Sequence, residues 1–512
     1  MALHPWRQVA AIVVATLAVF AGTLSSGLVY DARLQILTDT FLFDPANWFP
    51  VLTYQTLAMD VLDFNRPVNL ASLMIDAAVW GQDPFGYHLT SVLVHVANVL
   101  LVWAILGRLA TGLPTLDRLV APLVFAVHPL VTEAVCEPSF REDLLVSTFT
   151  LLGLLIAMGK SPAPDRRDAW RAIGCMVCAL LAIGSKESGI AAPAVIAVYR
   201  LTLRRGERGW FWIVAIGGAT IAVVGFLAAR FLLEPTPSKI FEHRPQYPGG
   251  SLAAAMLVEP RILALYAQLV VLPVNQCADY GLYSVSHLPL PVAVGIVAVV
   301  GAAMVWAIRA DRRMAVAATL IGAPLLAVSN LVPIYRAAAD RYLYLPLAGV
   351  GLAVGLLLDA PWLVGRERLR RHLIAGCGVA VIVLGLACME RAKVWSDQLA
   401  LWTDTFRKNP VAFTGASGLA EALREAGRLT EAEQVARRAI QLSEGRRGDP
   451  WATLALILDE QGRPAEAFAA LDKAMSLDPK LGDPDARVAV MAMERPYADD
   501  LKRLQARRKG RP

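Results

Sequence analysis

The stretch VFAVHPLVTEAVCEPSFREDLL, residues 124–145, begins as continuous hydrocarbon and then delivers His128, Glu133, Glu137, Arg141, Glu142 and Asp143. Carboxylates and cations at this density can exchange protons, receive an anion or neutralise one another. The same mixture recurs at the ends of other apolar runs. Asp31 directly follows the first run, and His88 opens the second with His95 seven residues on. Lys186 and Glu187 stand in GSKESGIAAP, while Arg336, Asp340, Arg341 and Tyr342 stand in IYRAAADRYLYLP. Each has an architectural alternative: Lys186 beside Glu187 reads as an interfacial pair, and His95 as a donor to a core carbonyl.

The elements that carry these residues are membrane-grade. The chain has 512 residues, is 56% hydrophobic and only 18% charged, with a mean hydropathy of +0.49. A soluble chain of this length splits into several charge-covered domains. Here apolar runs of about 20 residues, the length of a bilayer-crossing helix, recur from residue 8 to residue 390. Eleven spans are predicted, at 8–29, 88–107, 119–136, 144–159, 170–185, 188–203, 210–230, 291–308, 314–334, 342–358 and 373–390. The first reads as a retained helix, too long for a signal-peptide core.

Basic residues orient the bundle. Arg108, Arg118, Lys160, Arg166, Arg205, Arg208, Arg312, Arg313 and Arg370 fall in short loops on one side if the N-terminus is cytoplasmic. The stretch 260–275 breaks that alternation if it crosses, so it is expected to be re-entrant or to lie along the outer interface. Everything after residue 390 then lies outside, and so do the mixed acids and bases. A transporter would place its ionisable groups near the midplane; these gather at one surface. Cys175 and Cys178 form a C-x-x-C inside an apolar helix with no second pair nearby, which argues against metal or redox use. Whether Cys136 and Cys277 pair stays open.

After Trp395 the composition turns soluble. GRLTEAEQVARRAIQL (427–442) and GRPAEAFAALDKAMSL (462–477) align without gaps, pairing Gly427 with Gly462, Ala432 with Ala467 and Ala439 with Ala474. The offset matches the period of tetratricopeptide helix pairs, with a partial unit at 397–420. The array is either a packing cap on the membrane part or a groove for an acceptor polypeptide. The expected organisation is all-α: a polytopic membrane bundle over 1–390, a repeat domain over 391–485 and a basic, solvated tail over 486–512.

The stretches 66–102 (RPVNLASLMIDAAVWGQDPFGYHLTSVLVHVANVLLV), 125–135 (FAVHPLVTEAV), 141–145 (REDLL), 185–193 (SKESGIAAP) and 340–349 (DRYLYLPLAG), followed by the repeats, resemble one family. It is the transmembrane, tetratricopeptide-containing protein O-mannosyltransferases and their bacterial relatives, of the glycosyltransferase C superfamily. The resemblance implies transfer of a sugar from a polyprenyl-phosphate carrier to a protein or glycan acceptor outside the membrane, possibly held by the repeats. It implies a multi-pass membrane protein, in a bacterium the inner membrane with periplasmic repeats, bound to membrane lipid and to no nucleic acid.

The superfamily places its catalytic carboxylate in the first outer loop, where this chain has Asp31. Relatives often show two adjacent acids there; here Ala32 follows. Asp31 is thus the expected base, with Glu133 in reserve. Arg66, His88, His128, Arg141, Asp143, Lys186, Glu187, Arg341 and Tyr342 are the expected substrate-binding residues, the cations receiving the carrier phosphate. No metal or cofactor is expected. An oligosaccharide ligase or other glycan-modifying transferase of the same superfamily, or an inactive repeat scaffold, are the alternatives.

Overall fold

The computed structural model describes residues 4–510 apart from residues 60, 115, 160–165, 205–209, 234–245, 282–284, 286 and 490–492. Among the described residues the regular elements are all helical. The apolar part comprises α1 (Pro5–Phe20), α2 (Pro67–Trp80), α3 (Pro84–Leu109), α4 (Val120–Val127), α5 (Thr132–Cys136), α6 (Arg141–Ala157) and α7 (Arg166–Ser185). It continues with α8 (Ala191–Leu203), α9 (Trp210–Leu233), α10 (Leu252–Val271), α11 (Leu290–Ala310), α12 (Met314–Ala327), α13 (Tyr344–Leu358) and α14 (Glu367–Lys393). Prolines open α1, α2 and α3 at a position where a missing N–H costs nothing. Asp83 caps α3 by accepting the Phe85 N–H.

Seven helices among the described residues are long and apolar enough to cross a membrane, eight if the bent pair around His128 counts as one span. Eleven spans were expected. The helices α6, α8 and α12 have 17, 13 and 14 residues, short of a full crossing. Expectation also missed α2, a further apolar helix. The stretch 260–275 differs too. It is the second half of α10, one continuous 20-residue helix with the length and composition to cross. The apolar residues from Leu252 to Val258 supply the missing turns, and Pro260 does not end it.

Two ends of the bundle contrast. At one end Arg313 bonds Asp359 (2.5 Å) and the Leu109 carbonyl (3.0 Å), Arg370 bonds Asp117 (2.6 Å), and Arg108 reaches the Leu155 carbonyl (2.5 Å). The expected basic loops do gather; Lys160, Arg205 and Arg208 lie outside the described residues. The other end collects Asp31, residues 128–143, Lys186 and residues 340–342. The repeats join that second end, because the Gly27 N–H donates to the Ser396 carbonyl at 2.9 Å. A side chain at position 27 would already touch that carbonyl.

The repeat part is built from the pairs α16 (Phe413–Glu425) with α17 (Leu429–Leu442) and α18 (Asp449–Glu460) with α19 (Pro464–Leu477), preceded by α15 (Gln398–Lys408) and followed by a last helix α20 (Arg495–Lys509) that packs on α18. Ala432, Ala439, Ala467 and Ala474 have no exposed surface, which lets backbones approach. Gly427 and Gly462 adopt φ of +71° and +75°, the left-handed turn that ends one helix before the next. The tail expected to be solvated is mostly α20. Its Tyr497, Ala498, Leu501 and Leu504 form a buried stripe, with about 1.5–3 kcal/mol available for each large side chain. All six cysteines are free.

Candidate active site

Asp31 sits where α1 has ended, on a one-turn helix Tyr30–Ala32. Val29 is extended (φ −128°, ψ 169°) and Tyr30 is left-handed at φ +52°. A bulky residue in that conformation costs of order 1–3 kcal/mol and persists only where its surroundings hold it. Here they do. The Tyr30 ring stacks on Trp402 of α15 (centroids 5.5 Å apart, 26° between planes) and meets Phe140 edge-on at 5.7 Å. The Arg336 guanidinium lies 5.7 Å from its centroid.

Ala32 is fully buried, so its own side chain brings no second acid. A second acid comes from elsewhere: the Ala32 N–H donates to Glu137 Oε1 at 2.8 Å, and Ser139 Oγ donates to the same oxygen at 2.6 Å. Glu137 is fully buried. Burial, with the nearby Asp31 charge adding to it, raises its pKa well above the ordinary carboxylate range.

Asp31 itself faces a cleft of about 240 Å³. Its walls are Tyr30, Asp31 and Arg336 from the membrane part and Gln398, Trp402, Thr414, Gly418, Glu421, Ala422, Glu425 and Glu494 from the repeats. The carboxyl is reached from the cleft while protein surrounds it. That enclosure raises its pKa, and Arg336 and then Arg341 pull the other way. Arg336 also bonds Asp279 at 2.8 Å. Gly418 is required at its position: a Cβ there would lie 2.4 Å from the Trp402 ring.

The other residues expected at the site form a band behind this cleft, already paired. Arg341 bonds Glu133 through both its guanidinium and its N–H, and lies 3.8 Å from the Phe140 centroid. Lys186 bonds Asp143 (2.6 Å) and Glu142 (3.2 Å) and stands 5.1 Å over the Tyr342 ring. It does not pair with its neighbour Glu187, whose partners are Asn65 (2.7 Å) and Arg66 (3.6 Å). Arg66 also holds Asp63 and Glu142, at 2.9 and 2.8 Å. The Tyr342 hydroxyl donates to the Arg336 carbonyl at 3.1 Å.

Two expected ligand groups are corrected outright. Arg141 has no exposed surface; it pairs with Asp76 at 2.6 Å and donates to Ser72, Ser91 and the Tyr87 carbonyl. Its partner Asp76 comes from α2. His128 caps the break after α4, its Nδ1 taking the Leu130 N–H while Nε2 faces the Val270 carbonyl. His88 is buried against the Gly27 carbonyl at 3.2 Å. His95 lies between the Ala126 carbonyl and the Tyr344 hydroxyl, the core role read for it. Glu133, 1% exposed and held by Arg341, has no access to a substrate hydroxyl. Among the described residues no three His, Cys, Asp or Glu side chains gather as they would around a metal ion.

Comparison with known proteins agrees with the layout. A tetratricopeptide repeat model matches residues 449–481. Over 399 residues the chain is 24% identical to the protein O-mannosyl-transferase F38B6.6 of Caenorhabditis elegans, covering 74% of this chain and 53% of that one. It is 31% identical over 191 residues to the human protein O-mannosyl-transferase TMTC2, covering 36% of this chain and 22% of that one. The chain is a homologue of the protein O-mannosyl-transferases. It spans about half the length of the Caenorhabditis elegans relative. Among solved structures, that of ArnT from Cupriavidus metallidurans bound to undecaprenyl phosphate overlaps at a TM-score of 0.43 and 16% identity, over 99% of this chain and 89% of that one.

Sequence reasoning named Arg336 and Glu137 among the ionisable groups without giving either a role, and it passed over Tyr30 and the repeat residues of the cleft. The signal for Arg336 was its spacing from the DRY stretch. No local signal marked the others.

Proposed function

We propose that this chain is an integral membrane glycosyltransferase that moves a sugar from a polyprenyl-phosphate carrier to a protein acceptor on the extracytoplasmic side. The carrying observation is that Asp31 and Arg336 line one cleft, at the end of an apolar bundle opposite its arginine-rich end. In this reading Asp31 takes the proton of the acceptor hydroxyl as its oxygen bonds to the sugar's anomeric carbon. The bond from that carbon to the phosphate oxygen breaks, and the phosphate leaves with the electron pair. Arg336 supplies a planar fork for the charge that develops there. The raised pKa of Asp31 makes it a stronger base than an ordinary aspartate.

The test is transfer by the purified full-length chain from labelled polyprenyl-phosphate sugars to peptide and to glycan acceptors. Product on peptide that disappears in Asp31→Asn supports the reading. Product on glycan alone points instead to the ligase alternative, and no product with any donor–acceptor pair overturns it.

A further inference from the structure

Glu137 is a buried acid that the transfer chemistry leaves unused. It stands in the connection between α5 and α6, with no exposed surface and no ion pair among the described residues. Taking a carboxyl out of water without a cation is costly unless hydrogen bonds replace what water gave. Here those bonds are few. Oε1 accepts the Ala32 N–H at 2.8 Å and the Ser139 hydroxyl at 2.6 Å, while Oε2 has no partner among the described residues. Ser139 lies two residues away on the same connection, so Ala32 is the carboxyl's long-range partner.

Ala32 follows Asp31 directly, and its N–H shares a planar peptide with the Asp31 carbonyl. Holding that N–H fixes the plane attached to the Asp31 Cα. The Val29 carbonyl also receives it, at 3.2 Å, but that bond lies within the turn and moves with it. On the other flank the Tyr30 ring is gripped by Trp402, Phe140 and Arg336 while its backbone stays left-handed. Asp31 is exposed between a buried Tyr30 and a buried Ala32. The turn is therefore pinned on both sides of the residue that reaches the cleft. The connection between α5 and α6 contributes to both pins, through Phe140 and through Glu137.

We propose that Glu137 is a positioning residue for the transfer reaction: through the Ala32 N–H it orients the peptide that carries Asp31, and so aims the Asp31 carboxyl into the cleft. This rests on the transferase reading and adds the group that sets its base. Burial, with the Asp31 charge adding to it, favours the neutral acid, and a glutamine amide reproduces its accepting oxygen. Glutamine should therefore substitute, whereas a shorter or an apolar side chain should not. Misplacing a reacting group by about 1 Å can cost ~10²-fold in rate.

The test has two arms, both on the full-length chain in detergent. The first is steady-state transfer from a labelled polyprenyl-phosphate sugar to peptide. Glu137→Leu should lower kcat by about ten- to a hundredfold with both KM values near those of the wild type. Glu137→Gln should recover most of that loss. A merely structural role predicts a lower thermal midpoint and an unchanged kcat per folded molecule. The second arm needs no transfer. Asp31→Cys places a thiol at the exposed position, where every native cysteine is buried or half-buried. Its rate of modification by a water-soluble methanethiosulfonate reports how position 31 meets the cleft. Adding Glu137→Leu should change that rate by about threefold or more, the scale of one net hydrogen bond, and adding Glu137→Gln should leave it unchanged. Where Glu137→Leu does not fold, Glu137→Asp replaces it with the same expectations, since it keeps the acid but withdraws it by one C–C bond, about 1.5 Å. A labelling rate that ignores the leucine or aspartate change, or a kcat that does, overturns the proposal. Absent transfer by the wild type would sink the transferase reading, and labelling would still decide whether Glu137 aims position 31.

Discussion

The charged end of this molecule has two regions that look alike in sequence and differ in three dimensions. In the band formed by residues 128–143, Lys186 and Arg341, opposite charges meet at bonding distance and almost no surface is exposed. In the cleft, Asp31 is reached from outside. Ionisable groups inside a membrane protein mark function by default, but that default does not separate the two regions. Access does: a charge sealed from solvent and neutralised by protein holds the fold, and one that reaches a cavity can meet a substrate.

The contrast breaks hardest at Arg141. Arg141→Ala strands the buried Asp76 carboxylate, and losing one partner of a buried pair costs about 3–5 kcal/mol. The thermal midpoint in detergent should fall sharply and expression with it. An unchanged midpoint would move Arg141 out of the structural band.

Asp31→Asn should do the opposite: transfer falls by ~10²-fold or more, the scale of losing a general base, while the midpoint stays put. In the wild type, activity should be lost as pH falls through the Asp31 pKa, because protonation removes the base. That limb should lie above the ordinary aspartate value of about 4, since burial raises the pKa. A limb at or below 4 would contradict the enclosed site.

Arg336 tests the cleft more gently. Arg336→Ala should raise the donor KM by about tenfold, and Arg336→Lys should restore only part of it, since an ammonium lacks the two-point fork. Equal donor constants in all three proteins would reassign Arg336 to holding Asp279.

The smallest effect is expected at the seam. Arg33→Ala removes the ion pairs to Glu425 and Glu494, partly exposed contacts worth about 1 kcal/mol or less. Cysteine cross-linking between the Asp31 turn and α16 should slow slightly, with donor use unaffected. A collapse of stability would show that this seam, rather than the Gly27–Ser396 contact, docks the repeats.

Much of the architecture was legible because it follows from local composition. Apolar run lengths dictate membrane helices, arginine in short loops sorts the two ends, and Ala432, Ala439, Ala467 and Ala474 announce a helix-pair repeat at a fixed offset. The span count was less legible. Hydropathy measures length along the chain, whereas α6, α8 and α12 are helices of only 17, 13 and 14 residues. The solvated tail was misread for a related reason: six positive residues from Arg495 to Lys509 hide a stripe of Tyr497, Leu501 and Leu504.

What the sequence by itself determined is the medium and the inventory: an all-helical chain for a membrane, a repeat module, and a supply of acids and bases at one end. Which of those groups is spent and which is free was decided only by the tertiary structure. Polar pairing depends on separations of a few ångströms between residues distant in the chain: the ion pairs of Arg141 with Asp76 and Arg341 with Glu133, and the hydrogen bond from the Ala32 N–H to Glu137. Nothing in a local pattern encodes those distances. The cleft is the clearest case, since its walls come from residues 30–31, Arg336 and the repeats, and only packing the repeats onto the bundle brings them together.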